Sequence, residues 1–146
     1  MEIKIIKSVD TYPLRIEILR KGIAKDFQFV GDDVATTFHL GAYMHDKCIG
    51  ILSCMKKEHA LWNETRVYQL RGMAVKSDLQ NSGVGKALVL ESLRILKERD
   101  CKLVWCNARE TAVGFYEKMN FKTIGSRFQI PKVGPHFVML LTLEKD

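Results

Sequence analysis

Apolar and polar positions change period several times along this chain, and each change predicts an element. Residues 3–7 alternate apolar and charged side chains in the manner of a strand. Leu14, Ile18 and Leu19 then recur at helical spacing, which predicts a helix over about 12–23 with Pro13 in its first turn. Residues 24–34 carry no clear period and are expected to form a loop. Two strand-like runs, 36–43 and 48–55, flank the polar Met44-His45-Asp46-Lys47 and predict an antiparallel hairpin. A third run, 67–75, leads through a polar stretch into a long helical pattern over 83–99. Val84, Ala87 and Leu88 mark one face of that helix and Val89, Leu93 and Leu96 another, so the apolar arc is wide and the helix should pack tightly on a sheet. A short buried strand at 102–106, a short helix at 112–119 and closing strands at 121–125 and 137–143 complete the pattern. Strands mix with helices, and a strand-helix-strand unit occupies the second half, which predicts a mixed α/β (α+β) fold.

Composition narrows the class. A chain of 146 residues without repeats, low-complexity tracts or linkers is expected to form one domain, 1–146, around one core. With 47% hydrophobic and 27% charged residues it has the balance of an ordinary globular protein, and no segment approaches the roughly 20 apolar residues of a membrane span. The alternating N-terminus lacks the apolar region of a secretory signal, so a cytoplasmic location is expected. The cysteines, Cys48, Cys54, Cys101 and Cys106, form no Cys-x-x-Cys pair and are expected to be reduced. His39, His45, His59 and His136 are scattered, with no i, i+4 pair, so no metal is expected. The net charge of +6, from 23 basic and 17 acidic residues, favours an anionic partner, whether nucleic acid, acidic protein or phosphorylated cofactor.

The most informative stretch is Gln80-Asn81-Ser82-Gly83-Val84-Gly85-Lys86-Ala87, where a strand ends and a helix opens. Free backbone amides at a helix N-terminus carry partial positive charge, and glycines let a bulky anion approach them, so such a turn binds phosphate. A dinucleotide-binding turn requires a third glycine where Leu88 stands. A Walker A loop requires glycine at Gln80 and Ser or Thr at Ala87. Neither fits, whereas Gln/Arg-x-x-Gly-x-Gly/Ala is matched throughout by Gln80-x-x-Gly83-x-Gly85. The same glycines would also serve a tightly packed helix start without any ligand.

In this setting the sequence resembles the GNAT family of N-acetyltransferases. Leu70-Arg71-Gly72-Met73-Ala74-Val75 resembles that family's central strand, Trp105-Cys106-Asn107-Ala108-Arg109 the end of its next strand, and Gly114-Phe115-Tyr116-Glu117-Lys118-Met119-Asn120-Phe121 its C-terminal helix and following strand. The resemblance runs from about Phe38 to Leu143. It implies a mostly antiparallel, twisted sheet of about six to seven strands, splayed between the fourth and fifth, with acetyl-coenzyme A as co-substrate in the gap. Met73, Ala74 and Val75 would meet the pantetheine arm, with Met73 and Val75 pairing through main-chain groups. Gln80, Asn81, Ser82, Gly83, Val84, Gly85 and Lys86 would hold the pyrophosphate, with Lys86 either adding charge or merely solvated. Asn107 would sit at the mouth of the splay, and Ala112 and Phe115 along the coenzyme's far side, Phe115 equally serving as core.

The resemblance implies direct transfer of an acetyl group to a primary amine. Tyr116 matches the family tyrosine that protonates the leaving thiolate, and a backbone N–H near 73–75 would serve the oxyanion. The base is open: Gln69 cannot act as one, Glu58, His59 and Glu64 precede the central strand, and a water chain would also serve. Arg71 would recognise an acidic group or form a structural salt bridge. A small-molecule amine is the favoured acceptor, without nucleic acid or membrane as partner, and a homodimer is an arrangement common among related proteins. Two rivals remain from other classes: a catalytically silent acyl-coenzyme A-binding regulatory domain, which the intact Tyr116 argues against, and a nucleic-acid-binding module, which the dispersed basic residues disfavour.

Overall fold

In the computed structural model, which describes residues 1–144, seven strands form one sheet in the order β1-β2-β3-β4-β5-β7-β6. The strands are β1 (Glu2–Ile6), β2 (Phe38–Met44), β3 (Lys47–Lys56), β4 (Val67–Val75), β5 (Leu103–Arg109), β6 (Lys122–Ile130) and β7 (Gly134–Thr142). All neighbours are antiparallel except β4 and β5. The hairpin between β2 and β3 turns on His45 and Asp46, both at positive φ, and twin left-handed residues suit the twist of a two-residue turn.

Helix α2 (Val84–Glu98) lies across one face of the sheet, where its Leu88, Val89, Leu93 and Leu96 join Leu40, Leu52, Leu70 and Val104 in the main core. Gly50 on β3 permits the close approach, because a Cβ there would stand 2.8 Å from Val84 Cγ1. On the same side, α3 (Val113–Glu117) supplies Tyr116 to that core.

The opposite face is covered by the first helix, which begins and ends earlier than its apolar spacing predicts. It occupies α1 (Ser8–Leu14) and continues as one π-type turn, Arg15–Leu19, closed by a bond from Arg20 N–H to the Arg15 carbonyl. Asp10 accepts from the Lys7 N–H, and the Thr11 hydroxyl donates to the Ser8 carbonyl, so the start is fixed by polar groups that periodicity ignores. Pro13 therefore falls inside the helix, where it removes an amide donor, just before the backbone widens.

Arg15, fully buried, organises this side. Its guanidinium forms a two-pronged pair with Asp32 (2.7 and 2.9 Å), and also donates to the Phe27 carbonyl and to Ser53 Oγ on β3. His39 on β2 bonds both Ser53 Oγ and the Asp32 carbonyl, so the network reaches from the loop after α1 into two central strands. Burial alone would raise the Asp32 pKa, but the hydrogen bonds from Arg15 and from the Phe29 N–H outweigh it and hold the carboxylate below its ordinary value.

Removing one partner of a buried pair leaves the other charge uncompensated, so Asp32→Ala is expected to lower unfolding free energy by about 3–5 kcal/mol in urea denaturation. Because the folded-state pKa of Asp32 is depressed, its contribution is complete above the ordinary carboxylate value of about 3.9 and is lost as pH falls from there through the lower folded-state value. The variant should thus lose less stability to acid than the native chain over that interval, and an equal acid loss would place the effect elsewhere.

Candidate active site

β4 and β5 pair over Val67–Leu103, Tyr68–Val104 and Gln69–Trp105, and beyond Gln69 no pairing between them continues. At that point β4 carries one extra residue against β3: Ile51 faces Ala74 but Ser53 faces Arg71. The bulge centres on Gly72, at φ +64°, where an added Cβ would lie 2.7 Å from the Phe29 ring. One extra residue reverses the alternation of faces. Tyr68 and Leu70 face α2 before the bulge, and Met73 and Val75 pack on that side after it. Gln69 and Arg71 face the side of α1, and Ala74 joins Leu14 and Ile51 there.

Main-chain direction follows from the ladder. The Lys76 N–H bonds the Ile49 carbonyl, so Val75, opposite Gly50, turns its own amide and carbonyl away from β3 and into the gap. The main chain of Ala74, opposite Ile51, faces β3, and Met73 lies in the bulge with no partner in the β3 register.

Past Val75 the chain turns through a short 3₁₀ segment, Ser77–Leu79. The Gln80 side chain donates to the Val75 carbonyl at 3.2 Å and ties the turn to the strand end. Ser82 Oγ donates to the Leu79 carbonyl. Asn81 and Gly83 are left-handed, at φ +64° and +94°. The first bond of α2 runs from the Ala87 N–H to the Gly83 carbonyl, so the amides of Gly83, Val84, Gly85 and Lys86 have no partner inside the helix. Together they form a concave set of donors at a positive helix end. Gly85 is the narrow point: a Cβ there would be 3.4 Å from Phe115 and 3.6 Å from Met73. Turn, β4 and α3 therefore form three walls of one groove.

A cavity of about 360 Å³ opens where the strands part, and Met73, Asn107, Ala112 and Tyr116 all line it. Tyr116 is buried, with its ring edge-on to Phe115 and Phe121, and burial pushes its pKa upward from 10, so the phenol stays protonated and is available as a donor. Burial likewise pushes the nearby Cys106 thiol up to about 12. All four cysteines are free; three are buried and Cys48 is half-buried.

The candidate bases of the 58–64 loop are not among the cavity's lining residues. His59 stacks on Trp62 and meets Trp105 edge-on, closing the sheet below the splay. The hydrogen bond from Arg66 pulls Glu64 down to about 2. Instead the cavity holds His136 on β7, opposite Arg109 of β5. His136 Nδ1 lies 2.7 Å from the Gly134 carbonyl, and since a carbonyl only accepts, Nδ1 carries the proton and Nε2 the free lone pair. Isolated in the sequence, this histidine gave no motif; its place directly before the closing strand expected at 137–143 was the one available signal. Arg71, expected to be salt-bridged if structural, has no ion pair among the described residues and instead stacks on Phe29 at 4.3 Å.

The parted strands, the free amides at the α2 start and the buried tyrosine meet at one cleft. The chain belongs to the family described as Acetyltransferase (GNAT) family, whose profile matches residues 9–121. It is an acyltransferase of the N-acetyltransferase class. It is 35% identical over 144 residues to a Bacillus subtilis (strain 168) protein described as uncharacterized N-acetyltransferase YitI, covering 98% of this chain and 97% of that one. Its fold is shared with Escherichia coli ElaA (TM-score 0.81, 15% identity, 95% and 97% of the two chains). The same fold occurs in an aminoglycoside 6'-N-acetyltransferase complexed with coenzyme A (TM-score 0.74, 14% identity, 100% and 99%). Among the described residues no helix is long and apolar enough to cross a membrane, and no group of three or more His, Cys, Asp or Glu could hold a metal ion.

The tautomer is directly testable: long-range ¹H–¹⁵N correlation spectra of the neutral His136 ring should show protonated Nδ1. An Nε2–H pattern would remove the free lone pair from the cavity.

Proposed function

We propose that the protein transfers the acetyl group of acetyl-coenzyme A directly to the primary amine of a small molecule. The observation that carries this reading is the convergence, at one gap, of the unpaired β4 edge, the free amides at the start of α2 and the buried Tyr116 phenol. When bound, acetyl-coenzyme A supplies a thioester whose carbonyl accepts the amine and whose sulfur departs.

The amides from Gly83 to Lys86 take the pyrophosphate, and the main chain of Met73 and Val75 pairs with the pantetheine arm. Ala112 and Phe115 bound the arm on the α3 side. An N–H on the open edge of β4 donates to the developing oxyanion, in a site where preorganised donors act strongly. His136 Nε2 takes the proton released from the attacking nitrogen, and the Tyr116 hydroxyl gives one to the departing sulfur. Asn107, exposed at the mouth of the splay, borders the bound arm. The coenzyme A complex of an aminoglycoside acetyltransferase with the same fold supports the coenzyme assignment, and the modest cavity favours a small acceptor over a protein.

Isothermal titration of acetyl-coenzyme A into the native chain should show binding, and Gly83→Glu should abolish it by adding a carboxylate and a strained φ at the anion site. Native protein that fails to bind would overturn the reading. In thiol-release assays with a productive amine, Tyr116→Phe and His136→Gln should each lower kcat by about 10²-fold or more, with acetyl-coenzyme A affinity retained.

A further inference from the structure

The acceptor side of the cavity has an unusual charge. Arg20, Lys25, Arg71 and Arg109 all line it, from three separate elements, and no Asp or Glu lines it at all. Two carboxylates outside the lining act on the cluster: Asp26 on Arg20, and Asp32 on Arg71, the latter already committed to Arg15 through two hydrogen bonds. Among the described residues, neither Arg71, Arg109 nor Lys25 has a side-chain ion pair, and Arg20 bonds only the Asp26 and Leu19 carbonyls. Phe29 gathers the cluster, with Arg15 at 3.7 Å, Arg71 at 4.3 Å and Arg20 at 5.3 Å from its ring centre. Desolvation lowers the pKa of Arg71 and of Arg20, and like charges add to it: Arg15 and Arg20 act on Arg71, Arg109 and Arg15 on Arg20. Guanidinium groups remain charged under such crowding, and Asp26 and Asp32 offset the repulsion only in part, so a bound anion would relieve what is left.

These cations belong to the acceptor rather than the coenzyme. The bulge at Gly72 puts Arg71 on the face of α1, while Met73 and the α2 amides lie on the other. Arg20 and Lys25 come from the segment after α1, which Lys132 of the β6–β7 turn ties down by a bond to the Ala24 carbonyl. A cationic amine, as in a polyamine, would meet repulsion here.

We infer that the acceptor is an anionic amine, a primary amine bearing a carboxylate or phosphate group that Arg71, with Arg20 and Arg109, binds while the nitrogen lies beside His136. This rests on the acetyl-transfer reading and specifies its substrate class. Arg71 then acts as a specificity-determining residue, through the paired donors of its planar fork.

The test uses matched amines that differ only in charge, with the protein loaded with coenzyme A so that the phosphate-binding turn is filled. One arm compares ω-amino carboxylates of two to six carbons with their amides, and a second compares O-phosphoethanolamine with ethanolamine. Calorimetry should detect binding of members of a charged series and none of the neutral partners. In thiol release with acetyl-coenzyme A, the bound member should exceed its neutral partner at least tenfold in kcat/KM. Arg71→Gln should raise its KM about 10- to 100-fold, the worth of a hydrogen bond to a charged group, with kcat less affected and coenzyme affinity unchanged. Arg109→Gln, an exposed position at a strand end, gives the same direction should Arg71→Gln fail to fold. The carboxylate arm and the phosphate arm separate the two sources of negative charge. Equal or better use of neutral amines or of 1,4-diaminobutane, or no binding of any charged member by the loaded protein, overturns the inference. Acetyl-coenzyme A binding in the same preparation shows whether the transfer reading survives that result.

Discussion

The active cleft depends on the parting of two strands that begin as partners. A parallel ladder between β4 and β5 cannot be abandoned without exposing amides and carbonyls, and this chain does so after Gln69 and Trp105. Three things make the parting tolerable. The bulge at Gly72 bends β4, the indole of Trp105 donates to the Lys57 carbonyl below the fork, and the freed edge faces a cavity rather than apolar core. Gly72 is constrained twice, by its left-handed φ and by the Phe29 ring where a Cβ would stand.

The two sides of the cleft are held by different means. On the α2 side, the groups available to a ligand are main-chain donors, aligned because Asn81 and Gly83 take left-handed conformations. On the α1 side, the wall is held by side chains: Arg15, Asp32, Ser53 and His39 bind the loop after α1 to β2 and β3. A buried ion pair of this kind is weak as a source of net stability but strict about geometry, since each partner is costly alone. Here it fixes Phe29, and Phe29 fixes the arginines stacked on it.

Legibility in the sequence followed the same division. Strands such as β3 and β4, buried on both faces, were readable as apolar runs. The α2 start was readable because glycine spacing reports backbone conformation directly. The first helix was misplaced by several residues because Asp10 and Thr11 set its start through hydrogen bonds, and its apolar residues extend into a π-type turn that a period of 3.6 does not describe. The proposed acceptor side was least legible. Arg20, Arg71, Arg109 and His136 are distant in the chain, and only the bulge and the closing hairpin bring them to one cavity. Arg71 stood out as a charge within an apolar strand, but that it forms no ion pair among the described residues and stacks on Phe29 instead is a property of the tertiary arrangement.

The bulge at Gly72 also bears on how such a protein diversifies. By placing consecutive stretches of one strand on opposite faces, it lets the donor side remain constant in backbone shape while the receiving side varies in side-chain chemistry. On the proposed assignment, substitutions at positions 20, 71 and 109 would change the acceptor taken without rebuilding the main-chain donors on the other side, which makes this scaffold a ready substrate for duplication and divergence.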